Sequence, residues 1–269
     1  MQKDSVMDVA MPSHLFRIMT YNIHSCFGTD GKASPERIAT VIAGVDPDII
    51  ALQEVDRGLA RSGYSDQVQE IAAILGMNFI FFPSLQQKEG NYGNAILSRT
   101  ALHLVKGGAL PNLPGLRRIE KRGALWVEAC LPGGTLQVIA THFGLVSKER
   151  LLQTRTLLGK EWLGHPDCRP PAIICGDFNT TPRSLAYRLL ADRFDDVQRA
   201  IAKQRPHASW PARHPLIRID HLFVTPGITV AKARVVRNDL TRTASDHLPL
   251  VADLSIPDFT EMRKMKPPG

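Results

Sequence analysis

Six short segments carry the residue types that metal-assisted ester chemistry needs. They are Thr20-Tyr21-Asn22-Ile23-His24, Ile49-Ile50-Ala51-Leu52-Gln53-Glu54, Val138-Ile139-Ala140-Thr141-His142, Ile173-Ile174-Cys175-Gly176-Asp177-Phe178-Asn179, Arg218-Ile219-Asp220-His221 and Ser245-Asp246-His247. In the first four, polar side chains appear just as an apolar run ends. Ligand sites of α/β proteins gather at strand ends along one edge of a sheet. Carboxylates, an amide and imidazoles meeting at such an edge suit a hard divalent cation and a phosphate ester.

Bringing six distant segments together takes a chain rich in strands. Phe16, Ile18 and Thr20 alternate with Arg17, Met19 and Tyr21, which predicts a strand over 15–21. Ser34 as cap and Pro35 at the first helical position open a helix over 35–44, with Ile38, Val41, Ile42 and Val45 on one face. The apolar run 48–52 reads as a buried strand, and Val68, Ile71, Ala72 and Leu75 mark a helix over 67–75. Strands are expected over 78–82, 94–98, 101–106, 124–131 and 136–141, with Pro132-Gly133-Gly134 as the turn between the last two.

A helix over 148–162 would turn Leu151, Leu152, Arg155, Leu158 and Trp162 inward. Beyond it lie a strand at 172–175, a helix near 183–192, and strands at 219–224, 229–236 and 249–254. Hairpins thus mix with helical crossovers, which two packed sheets with helices outside would satisfy. Residues 1–14 read as a flexible arm, 15–256 as a single domain and 257–269 as a solvated tail.

Taken in order, the six segments resemble the endonuclease/exonuclease/phosphatase superfamily, and the resemblance runs from about Arg17 to Leu254. Gly-Asp-Phe-Asn and Ser-Asp-His are individually short, but six such segments in order form a specific signal. The resemblance implies a four-layer α/β sandwich, two packed mixed β-sheets flanked by helices, with the site at one end. It also implies hydrolysis of a phosphoric ester with Mg²⁺, or Mn²⁺, as cofactor.

Roles follow residue by residue from the same resemblance. Glu54 is similar to the principal metal ligand, Asn22 to the amide that contacts the metal or orients Glu54, and Asp246 to a further metal-side carboxylate. Asp177 resembles the base that deprotonates the attacking water, and Asn179 the group that holds the water or a phosphate oxygen. His247 resembles the imidazole that donates to a phosphate oxygen, with Asp220 fixing its tautomer. His142 resembles a second histidine that protonates the leaving alkoxide. Asn94 is the expected substrate contact, while Tyr92 either joins it or packs under the site. Arg117, Arg118, Lys121 and Arg122 form a basic stretch that is either a solvated loop or, through Arg122, a grip on an anionic head group. His24, His207 and His221 read as structural or surface residues.

The whole chain of 269 residues has 43% apolar and 22% charged residues, which argues against disorder. No apolar stretch approaches the roughly 18 residues of a membrane-spanning helix, and the first fourteen residues lack a secretory pattern. Cys26, Cys130, Cys168 and Cys175 show no paired spacing, so free thiols in a cytoplasmic protein are expected. The formal charge of +7 makes an anionic partner plausible. A lipid-derived or small phosphodiester is the favoured substrate, because the Thr141–Leu145 segment resembles small bacterial members of the superfamily and no basic insert or aromatic strip marks a nucleic-acid binder. Nuclease action on DNA or RNA is the alternative, and a non-catalytic phosphate-recognition module is the alternative of another class. Neither stable membrane insertion nor an obligate protein partner is expected.

Overall fold

The computed structural model describes residues 14–113, 120–202, 204–256 and 258–267. In chain order these form β1 (His14–Asn22), α1 (Pro35–Val45), β2 (Ile49–Arg57), α2 (Gln67–Leu75), β3 (Asn78–Gln86), β4 (Asn91–Ser98), β5 (Leu102–Ala109), β6 (Gly123–Leu131) and β7 (Gly134–His142). Then follow α3 (Ser147–Leu157), β8 (Ala172–Asp177), α4 (Leu185–Ala191), β9 (Asp195–Asp196), α5 (Val197–Ala200), β10 (Asp220–Val224), β11 (Thr229–Val235), α6 (Asp239–Ala244), β12 (Leu250–Ile256) and α7 (Phe259–Lys264). Local chemistry explains the starts and stops. The Ser34 side chain accepts the Arg37 N–H at the head of α1, with Pro35 in the first turn. Gly76, in the left-handed region, ends α2.

The strands build two six-stranded sheets, ordered β11-β12-β1-β2-β4-β3 and β5-β6-β7-β8-β10-β9. Only β1/β2 and β7/β8 run parallel, so both sheets are mixed. Three apolar clusters hold the layers. Between the sheets, Phe16, Ile18, Ile49 and Ile96 meet Leu125, Val127, Val138, Ile173 and Leu222. Outside the first sheet, α1 and α2 press Ile38, Ile42, Val68 and Ile71 onto Met19, Ile50, Leu52 and Leu97. Outside the second, Leu157, Tyr187 and Leu190 cover Trp126, Ile139, Ile174 and Phe223. Helix, sheet, sheet, helix is the four-layer α/β sandwich that the resemblance implied.

This architecture carries the polar segments to one end. The parallel pairs β1/β2 and β7/β8 finish there with Asn22 opposite Gln53 and His142 opposite Asp177. Antiparallel β10 starts there, Asp220 facing Asp177, and β12 starts just after Ser245-Asp246-His247, with Leu250 facing Thr20.

Four features depart from the sequence reading. β2 does not stop at Leu52; it runs on to Arg57, with a break in its pairing to β4 between Leu52 and Val55 that puts Glu54 at φ +59°. Such a bulge re-aims a side chain while the strand continues. α3 is shorter than expected and turns Glu149, Gln153, Thr154 and Leu157 inward, leaving Leu152 and Arg155 outward. The reason is that its inner face meets loop backbone: Gln153 accepts the Gly144 N–H at 2.9 Å and donates to the Pro111 carbonyl at 3.2 Å. Four short elements (β9, α5, α6 and α7) lie outside that reading, although Asp196, Asn238 and Asp258 cap the three helices with their side chains. The last overturns the solvated tail, because α7 buries Phe259 and Met262 in the inter-sheet core.

Gly176 shows how tightly β8 abuts β7. A Cβ there would lie 1.9 Å from the Thr141 carbonyl oxygen, and its φ is +146°, which disfavours any L side chain. Gly176→Ala is therefore expected to cost about 2 kcal/mol or more of unfolding free energy in urea titration; unchanged stability would contradict the close approach described here.

Candidate active site

Two carboxylates from different sheets meet on one amide. Asn22, ending β1, donates through Nδ2 to Glu54 Oε1 at 2.8 Å and to Asp177 Oδ2 at 3.1 Å. Its Oδ1 accepts the His24 N–H at 3.0 Å. The amide thus orients its neighbours, and its Oδ1 keeps a second lone pair. Asp177 is buried and Glu54 partly exposed. Burial raises both carboxyls; the Asn22 hydrogen bond opposes this at Glu54, and the His247 charge opposes it at Asp177.

His142 sits between them and a buried arginine. Its Nε2 lies 3.4 Å from Asp177 Oδ2 and 3.9 Å from Glu54 Oε1. Arg122 reaches Nδ1 at 3.0 Å. A guanidinium only donates, so Nδ1 accepts and the ring proton belongs on Nε2. Burial, Arg122 and His247 together hold this imidazole well below its ordinary pKa. A neutral ring with that single proton donates a hydrogen bond but has no second proton to release. Arg122 is buried, braces His142 and lies 3.3 Å from Glu120. Asn179, at φ +47°, gives its backbone N–H to Asp177 Oδ1 (2.9 Å) and its amide to the Phe143 carbonyl (2.9 Å).

His247 has the opposite electrostatics. Its Nδ1 lies 2.9 Å from Asp220 Oδ2, and its Nε2 lies 3.7 Å from Asp177 Oδ2. Burial works against charging this ring, but Asp220 and then Asp177 outweigh it and raise the pKa to about 10. Ser209, which the sequence reading passed over, donates to the same Asp220 oxygen at 2.5 Å. The 204–218 loop clasps this segment further: the Leu248 N–H donates to the Ser209 carbonyl (2.8 Å) and the Ala212 N–H to the Asp246 carbonyl (2.7 Å). Asp246 has further partners of its own. Its Oδ2 accepts the Trp210 indole N–H at 3.3 Å, and its Oδ1 lies 3.8 Å from His24 Nδ1. Ligand atoms within 4.8 Å of one another come from Glu54, His142 and Asp177, and from Asp177, Asp220 and His247. Asp246 joins neither group, yet its charge acts on Glu54 and on His247, and its Oδ1 is buried without a hydrogen-bond partner.

Of the expected substrate contacts, Asn94 lies between the sheets. It is buried and donates to the Gly123 carbonyl at 2.9 Å, tying β4 to β6. Tyr92 packs beneath Arg61, whose guanidinium carbon is 5.2 Å from the ring centre. Both line a cavity of about 230 Å³ that also touches Glu54, His24, Phe27 and Glu120. Arg61 is held in place by Asp56 (Nε 2.8 Å, Nη2 2.6 Å) and by Ser25 (3.1 Å). No sequence signal singled out Arg61, since its partners come from tertiary contacts. Arg117 and Arg118 lie outside the described residues.

Residues 19–247 match the model of the Endonuclease/Exonuclease/phosphatase family, and the chain belongs to that family. The Escherichia coli (strain K12) protein YbhP is 27% identical over 252 residues, spanning 90% of this chain and 96% of YbhP. An endonuclease/exonuclease/phosphatase structure from Beutenbergia cavernae superposes with a TM-score of 0.72 at 28% identity, covering 90% of this chain and 72% of that one. The Bacteroides thetaiotaomicron mannosyl-6-phosphatase Bt3783 superposes with a TM-score of 0.68 at 22% identity, covering 89% and 99% respectively, a likeness of fold. Family members hydrolyse phosphoesters and generally depend on a divalent metal, and this chain is a phosphoester hydrolase. Among the described residues, no helix is long and apolar enough to cross a membrane.

His221 supports the site from behind. It is buried against Tyr187 (ring centres 5.0 Å apart), and its Nε2 donates to the Thr180 carbonyl at 2.8 Å, just past Asn179. Burial, then Arg218, depresses its pKa from 6.5 to about 4. The unfolded chain therefore takes up this proton first. Its contribution is whole above about 6.5 and falls away as pH drops toward about 4, by roughly 3 kcal/mol in all. Urea midpoints measured across that window are expected to fall less steeply for His221→Gln than for the parent chain; identical slopes would contradict the buried neutral ring.

Proposed function

We propose that this chain is a Mg²⁺-dependent phosphodiesterase, tolerant of Mn²⁺, that acts on a small or lipid-derived phosphodiester by in-line attack of water. The observation that carries the reading is the convergence on Asp177 Oδ2 of Asn22, His142 and His247, with Glu54 alongside. The donor set fits the metal: Glu54 and Asp177 offer hard carboxylate oxygens close together, which Mg²⁺ prefers. When bound there, the cation would neutralise charge on the phosphoryl group and make a nearby water more acidic.

The remaining chemistry belongs to side chains. Asp177, made more basic by burial, takes the proton of the attacking water. Asn179, its backbone N–H on Asp177, holds that water or a phosphate oxygen in line. His247, charged and braced by Asp220 and Ser209, donates from Nε2 to a non-bridging oxygen as negative charge builds. His142 adds a second, neutral Nε2–H donor from the opposite side, its tautomer fixed by Arg122. The organic part of the substrate lies in the cavity beside Glu54, where Arg61 meets its polar or anionic groups.

The dimensions of that cavity support a compact substrate. The mannosyl-6-phosphatase among its structural relatives is named for a small phosphoester, which supports the same reading. Nuclease action is the second reading, favoured by the net charge of +7.

Hydrolysis of bis(p-nitrophenyl) phosphate is expected to vanish with chelator and return with Mg²⁺. Glu54→Gln and Asp177→Asn are each expected to lower kcat at least about 100-fold while the chain stays folded by circular dichroism. Turnover that persists in both variants, or in chelator, would sink the mechanism, and tight phosphate binding without turnover would favour a recognition module. A panel of glycerophosphodiesters, lysophospholipids, plasmid DNA and RNA then decides substrate class. On the preferred ester, Arg61→Lys keeps a charge beside Asp56 but loses the planar fork, so KM should rise about tenfold with kcat little changed.

A further inference from the structure

We infer that the chain carries a second anion site, for the phosphate group of a small organic phosphate, in the cavity between the outer edge of β11 and the 204–215 loop. This cavity measures about 490 Å³, within the range of small-molecule sites and about twice the volume of the one beside Glu54. Lys232, Arg234 and Arg237 line it together with His207, and no carboxylate does. Asp253 faces two of these cations, 3.6 Å from Arg234 and opposite Lys232 in the β11–β12 ladder, but Arg17 already holds that carboxylate at 2.5 Å. Asp253 does not line the cavity, so the charged side chains that do are all basic.

Apolar side chains complete the shape. Val235 and Leu248 line the cavity, and at its rim the Gln204 amide donates to the Ala233 carbonyl at 2.5 Å. A concave surface with apolar groups and several cations suits a phosphate attached to a compact organic body. Its lining lacks Phe, Tyr and Trp, on which the bases of a single strand would stack, so nucleic acid fits less well. None of the residues around Asp177 lines it, so this site is separate from the catalytic one. The two share a wall, because Leu248 and Ala208 are the chain neighbours of His247 and Ser209.

Calorimetric titration of the full chain with glycerol 3-phosphate tests the assignment. Lys232 and Arg237 are exposed, so the double variant Lys232→Glu/Arg237→Glu should fold and bind at least about tenfold more weakly. The milder pair Lys232→Gln/Arg237→Gln should fall between. Glu54→Gln, which alters the catalytic cluster, should bind within about twofold of the parent chain. A parallel flotation assay with phosphatidylcholine vesicles containing phosphatidic acid separates the sources: recruitment lost in the same double variant assigns the phosphate to a lipid head group. Equal affinity in the double variant, loss in Glu54→Gln alone, or no binding of either probe would overturn the site. So would oligonucleotide binding that the double variant abolishes while glycerol 3-phosphate fails to bind.

Discussion

Two buried or half-buried carboxylates from different sheets should repel each other, and the structure rests on what holds them together. Asn22 meets both with one nitrogen, binding Glu54 within its own sheet and Asp177 across the gap. In a low-dielectric interior, unpartnered negative charges would be costly. The imidazolium of His247 supplies one compensating charge. A divalent cation is the natural second. The apolar core between the sheets sets the spacing that makes this bridge possible, so layer packing and site chemistry are one problem.

The two histidines show how second partners divide labour. Both rings place Nε2 within 4 Å of Asp177 Oδ2. Behind His247 stands a carboxylate, and behind His142 a guanidinium. The first arrangement favours an extra proton and the second expels one. The same side chain, facing the same oxygen, becomes a cation on one flank and a neutral donor on the other. Ser209 and Arg122 are thus as much part of the site as the rings they or their partners support.

Much of this was legible in the sequence, and the limits have physical causes. The layered architecture followed from apolar runs and helical stripes whose partners are interchangeable. Glu54, Asp177 and His247 stood out because a polar group at a strand end is conspicuous. The burial of Arg122 was hidden because a run of basic residues looks the same whether solvated or folded inward. The tie that Asn94 makes between the sheets and the Trp210 indole that meets Asp246 are likewise contacts between distant segments. Arg61 and Ser209 could not be read at all, since their partners, Asp56 and Asp220, are chosen by tertiary packing. The inner face of α3 misled for the converse reason: it meets loop backbone, so polar residues belong there.

The order of the strands has a further consequence for how the molecule comes into being. β1, the first strand, is flanked by β2 and by β12, the last. Ser245-Asp246-His247 lies immediately ahead of β12. A nascent chain on the ribosome therefore exposes one side of β1 until almost the whole polypeptide has emerged. Catalytic competence arrives only with that final closure, so a polypeptide cut short before it would lack both the last imidazole and the strand that seals the first sheet.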